Sequence, residues 1–135
     1  MLATLLICVC LTGIASAKEP YSAVEKLLQT STTVLGQSFE YPKSGMPEVT
    51  AVIVAMKPGE KTVNHLHEAP MFGYVLEGEV TVHYDGHGSR TYKAGEAIIE
   101  AMDVWHVGVN TGATPTRILA VFMGAKGTKD TVVHP

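Results

Sequence analysis

Cysteine is almost missing from this chain of 135 residues, and the two that occur, Cys8 and Cys10, both fall within the first seventeen positions. Those seventeen residues, MLATLLICVCLTGIASA, also lack any charged side chain. They are mostly apolar up to Leu11 and end on Ala15-Ser16-Ala17, the small-x-small pattern of a signal-peptidase site. The expectation is a cleaved leader over 1–17 and a secreted or periplasmic mature chain beginning at Lys18. The apolar run is too short to cross a hydrocarbon core of about 30 Å, so no stable membrane anchor is expected. Ile7 and Val9 precede the two cysteines where a lipoprotein anchor needs a small residue. No Lys or Arg precedes the apolar stretch, which leaves a start upstream open. The remaining chain would hold no cysteine, excluding disulfides, thiol catalysis and thiolate metal ligands.

Charge of one sign is scarce as well. Ten Lys and Arg against thirteen Asp and Glu give a net charge of −3, with no basic cluster. A chain that cannot neutralise a row of phosphates is a poor partner for nucleic acid or an anionic membrane. Long amphipathic helical stretches are absent too. Only SAVEKLLQ, residues 22–29, has a helical pattern, and it is short.

What the chain does contain is β-strand material. Runs rich in Val, Ile, Thr and aromatics, cut by Gly, Pro, Asn and Asp, recur at intervals near ten residues: TTVLGQSFEY, VTAVIVAM, TVNHLH, FGYVLEG, EVTVHY, RTYKA, AIIEA, WHVGV and TRILAVFM. Such spacing predicts a sandwich or barrel. Turns are marked at Pro58-Gly59-Glu60, Asp85-Gly86, Ala94-Gly95-Glu96 and Asn110-Thr111-Gly112. The expected organisation is a leader over 1–17, a helix and arm strand over 18–48, a β-barrel over 49–124 and a loosely held, flexible tail over 125–135. A single domain of this size builds its own core without staples.

Strand parity locates the chemistry. Residues i and i+2 of a strand share a face, so His65 and His67 point the same way, about 7 Å apart along a backbone rising roughly 3.3 Å per residue. His106, in a separate strand after Trp105, offers a third imidazole, and three neutral imidazoles form a facial set that leaves open positions on a metal ion. The other histidines read as solvated surface: His83 on the outer face of its strand, His87 in a hairpin turn and His134 in the tail. Phe72, Tyr74 and Leu76 alternate with the pocket residues and are expected in an outer layer or a homodimer contact.

These residues resemble the two motifs of the cupin superfamily. In the first, a Gly is followed by HxH, Glu and Gly at fixed spacing, and Gly59, His65, His67, Met71 and Gly78 fall on it, with Met in place of Glu. In the second, Gly95, Ala101, Asp103, His106 and Asn110 fall on the Gly, Pro, Gly, His and Asn positions, with Ala for Pro and Asp for Gly. The resemblance implies an all-β double-stranded β-helix, a jelly-roll barrel, holding one divalent transition metal ion (Fe, Mn, Cu, Ni or Zn) on His65, His67 and His106. Parity puts Met71, Gly73 and Val75 on the face toward that ion, so a thioether and an empty position would stand where the family has a carboxylate.

Three readings of Met71 stay open: an apolar pocket wall, a soft fourth ligand favouring copper, or a place left to a carboxylate from elsewhere, Glu68 or Glu100. Asp103 could orient His106 or simply make a turn, and Trp105 could rim the pocket mouth. The family resemblance implies dioxygenases of the quercetin or diketone-cleaving kind, together with isomerases and lyases. The expectation is an oxygenase acting on a small molecule through its metal. The alternatives are a non-catalytic envelope protein that binds a metal or small ligand, or an isomerase or lyase. No GxSxG, HExxH or P-loop competes.

Overall fold

The computed structural model describes residues 23–135, so the expected leader and its cleavage site lie outside the described residues. Among the described residues nine strands follow in order: β1 (Pro47–Met56), β2 (His65–Leu66), β3 (Met71–Glu77), β4 (Glu79–Tyr84), β5 (Gly88–Lys93), β6 (Ala97–Ile99), β7 (His106–Val109), β8 (Thr116–Ala125) and β9 (Val132–Val133). They form two antiparallel sheets, one in the order β1-β8-β3-β6 and the other β5-β4-β7-β2-β9. The sequence alternation sets which side chains face inward. Met71, Gly73 and Val75 of β3 are buried while Phe72 and Tyr74 are half-exposed. On β8, Thr116, Ile118, Ala120 and Phe122 share the inner face with them. The second sheet contributes Val80, Val82 and Tyr84 from β4 and Tyr92 from β5 to the core.

The link between β3 and β4 is a single residue, Gly78, at φ 72°. A Cβ there would stand 2.5 Å from the Pro115 carbonyl oxygen, so only glycine lets the chain reverse this close to the loop before β8.

Three expectations fail at the ends. Residues 23–30 form no helix. An isolated helix of about eight residues is too short to sustain itself, and Val24 (80% exposed) and Leu27 (47%) find no core that could stabilise one. The arm instead lies along the outside of the first sheet, where Leu28, Phe39 and Tyr41 line a groove with Phe72, Val121 and Met123. The strand expected over TTVLGQSFEY reduces to one bridge, Thr32 with Ser38. At the other end the tail is not loose. Val132 and Val133 add β9 to the edge of β2, and the His134 amide donates to the Asn64 carbonyl at 2.9 Å. Among the described residues no helix is long and apolar enough to cross a membrane.

Candidate metal centre

The cavity between the sheets, about 380 Å³, holds the three histidines on one wall. His65 on β2 is the direct cross-strand partner of His106 on β7, and His67 follows one residue beyond β2 on the same face. Ring centroids lie 4.9 Å apart for His65 and His67, 4.3 Å for His65 and His106, and 5.0 Å for His67 and His106. One ring nitrogen from each converges so that the three lie within 4.8 Å of one another. The spacing suits a single ion held by three imidazoles.

Each ring is fixed by its other nitrogen. Nδ1 of His65, His67 and His106 sits 2.8, 2.9 and 2.8 Å from the carbonyl oxygens of Val63, Asp130 and Val104. A carbonyl only accepts, so in all three rings Nδ1 carries the hydrogen and Nε2 presents a lone pair. His67 Nε2 is buried and has no hydrogen-bond partner among the described residues. An orphaned buried acceptor is costly unless something coordinates it, so the donor set fits a metal ion. Burial holds all three imidazoles below their ordinary pKa, His67 down to about 3, and the neighbouring rings add to the effect on His65 and His67. Neutral imidazole is the ligand form.

The wall opposite differs. Met71 packs with Ala120 and Phe122, and its sulfur lies 3.7 Å from where a Cβ on Gly73 would be. The place in front of Gly73 is not empty as the sequence suggested: Ile98 fills it, with Cγ1 3.1 Å from the same point. Phe122 also stacks edge-on against His67 at 5.3 Å. Of the two carboxylates considered, Glu68 is exposed, whereas Glu100 is 4% exposed and lines the cavity. Glu100 is not among the groups that converge with the three histidines. Its Oε1 accepts hydrogen bonds from the Tyr84 hydroxyl and the Ala101 amide, both at 2.7 Å. Burial raises the Glu100 pKa, and it raises that of Tyr84 together with the charge of Glu100.

Asp103, at the glycine position of the second motif, adopts φ 55°, in the left-handed region that glycine favours, and its amide donates to the His67 carbonyl at 3.1 Å. Its role is the turn, since Val104 is what orients His106. Trp105 does not line the cavity; its ring meets that of His134 at 4.6 Å. His83, His87 and His134 are exposed, and His83 Nδ1 lies 2.6 Å from Ser89 Oγ. Asn110, 1% exposed, ties loops together by donating to the Met56 and Thr114 carbonyls. The contribution of Asp130 and Thr131 to the cavity escaped the sequence reading, because the only sign was a pair of valines in a polar tail.

Comparison with known proteins agrees with this geometry. A cupin domain model matches residues 52–122. The chain belongs to the cupin family. No curated protein matches it. Among solved structures it is similar to the DMSP lyase of Ruegeria pomeroyi, with TM-score 0.54 and 25% identity over 63% of this chain and 42% of the lyase. It is also similar to the oxalate decarboxylase of Bacillus subtilis, with TM-score 0.54 and 24% identity over 63% of this chain and 23% of that one. A Klebsiella pneumoniae protein with a double-stranded β-helix domain matches at TM-score 0.56 and 20% identity, over 70% of this chain and 89% of its own, a likeness of fold alone. The matched part of this cupin thus spans under half the length of the lyase.

Proposed function

We propose that this cupin is a metal-dependent enzyme that acts on a small chelating molecule, and that its reaction is an oxygenation. The observation that carries the reading is the set of three Nε2 lone pairs, each fixed by a backbone carbonyl behind it and turned into one mostly apolar cavity. His65, His67 and His106 would hold one divalent ion, which when bound supplies Lewis acidity and, if redox-active, electron transfer to dioxygen. The chain's own groups do the rest. The carbonyls of Val63, Asp130 and Val104 keep the rings in the coordinating tautomer. Met71, Phe122, Ile98 and Val75 form an apolar wall against which the apolar body of a substrate would rest. Among the described residues no Lys or Arg lines the cavity, so the charge of a bound anion would be balanced by the metal rather than by a side chain.

A second reading, an oxygen-independent lyase, draws support from the likeness to the DMSP lyase and from the buried Glu100 carboxyl. The two separate on one experiment. Protein carrying its native metal is offered a panel of β-diketones, flavonols and catechols while dissolved oxygen is recorded. Oxygen uptake that stops on metal removal is expected. Turnover without uptake selects the lyase, and tight binding without any turnover selects a binding protein. Export and a homodimer belong to the same proposal; the native N-terminus and the mass in solution test them.

A further inference from the structure

The family carboxylate missing at position 71 has a counterpart one strand away. β3 and β6 pair Phe72 with Ile99, and the Glu100 amide continues that ladder by donating to the Met71 carbonyl at 2.9 Å. Cross-strand neighbours project to the same side of a sheet, and both Met71 and Glu100 line the cavity. The Glu100 carboxylate stands across the ladder from Met71 and outside the cluster in which the three imidazoles converge.

The second departure from the motif pattern serves the first. Where the family has proline, this chain has Ala101, fully buried, whose amide donates to Glu100 Oε1 at 2.7 Å. Proline has no N–H and could not make that bond. The Tyr84 hydroxyl donates to the same oxygen, and its own oxygen lies 3.2 Å from that of Tyr92, another residue of the cavity wall. Tyr84 is the cross-strand partner of His106, and the two rings lie 5.6 Å apart. Both hydrogen bonds therefore fall on Oε1, and among the described residues Oε2 has no partner. A buried carboxylate held at one oxygen and free at the other is a positioned proton acceptor. The ionisable groups around it are Tyr84, Tyr92 and, at charge range, His65 and Arg90.

We propose that Glu100 is not a metal ligand but the proton-accepting residue of this pocket, taking through Oε2 the hydroxyl proton of a chelating enol or catechol bound at the three-histidine centre. The ligand O–H bond breaks, its electron pair stays on the ligand oxygen, and the proton forms an O–H bond on Glu100. This rests on the three-histidine reading, and the test keeps the two apart.

Protein loaded with zinc, which is colourless, is titrated with 4-nitrocatechol, whose absorption reports each loss of a phenolic proton. In the unsubstituted protein at neutral pH the bound probe should lose its second proton while the buffer gains none, as measured by binding heats in buffers of different ionisation enthalpy. In Glu100→Gln the zinc content should be unchanged, and the pH midpoint for ionisation of the bound probe should rise by about a unit or more. An equal midpoint in the two proteins, or loss of zinc on the substitution, overturns the proposal. So does a full proton released to the buffer by the unsubstituted protein, a measurement that needs no variant to fold. If the unsubstituted protein holds no zinc, the three-histidine reading fails and this inference with it.

Discussion

One wall of the cavity carries all three imidazoles, and the facing wall carries none. His65, His67 and His106 belong to the sheet of β5, β4, β7, β2 and β9 or to its edge, whereas Met71, Gly73, Ala120 and Phe122 belong to the sheet of β1, β8, β3 and β6. The family motifs divide along the same line: all three histidines stand at the expected spacing, and the glutamate position of the first motif is Met71. A metal would thus be held from one side, by neutral donors, against an apolar surface. The contrast says where substitutions should cost most.

The largest effect belongs to the donor wall. With no ligand opposite to compensate, replacing His65, His67 or His106 singly by Ala should lower metal occupancy by about an order of magnitude or more. Metal analysis of the purified variants reads this directly, with His83→Ala, His87→Ala and His134→Ala as controls. Equal losses across all six would dissolve the distinction between the walls.

Next comes the tail, which supports the donor wall from behind. Removing residues 126–135 deletes the Asp130 carbonyl that orients His67 and the strand β9 that covers the edge of β2. Loss of such an outer partner costs about 10-fold or more in metal affinity. Competition against a chromophoric zinc chelator measures it, and an unchanged affinity would return the tail to the role of a loose appendage.

That dependence explains what the sequence could and could not convey. Parity alone brought His65 and His67 to one face, and two motifs in agreement brought His106 to them, because alternation in a strand is a local property. The tail was misread because its strand is two valines long and owes its existence to an edge on β2 that no local pattern reveals. Glu100 was weighed only as a ligand. Its standing beside Met71 depends on the β3–β6 register, and its bond to Tyr84 on a neighbouring sheet, neither of which is encoded within AIIEA itself. The helix over 22–29 failed for the converse reason: a local pattern was present, but the outer face of the first sheet offered the arm an extended seat.

The metal-free protein should be sensitive to acid, and the sign follows from the buried rings. The three histidines are held below the ordinary value of 6.5, His67 down to about 3, so the unfolded chain binds more protons than the folded one in that window. Their contribution to stability is complete above about pH 6.5 and is lost as pH falls toward 3. Glu100, raised by burial, works in the opposite sense, since its protonation relieves the folded state as pH falls. Three groups oppose one, so the melting temperature of the apo protein should fall between pH 7 and pH 4. A His67→Gln variant should show a shallower slope. A melting temperature that stays flat over this range in the unsubstituted protein would mean that the rings are already charged.

The smallest effect is expected on the apolar wall, and it decides what Met71 is. If the thioether is packing against Ala120, Phe122 and the backbone of Gly73, then Met71→Leu preserves volume and should cost less than about 1.5 kcal/mol, with metal content untouched. Met71→Glu is the sharper probe, because it returns an oxygen donor to the facing wall. Carboxylate oxygen favours harder ions, so this variant should shift preference toward Mn or Fe relative to Cu. A sulfur signal in X-ray absorption at the metal edge, present in the unsubstituted protein and gone in Met71→Leu, would make methionine a ligand. The two walls would then both hold the ion, and the asymmetry argued from the three imidazoles would not stand.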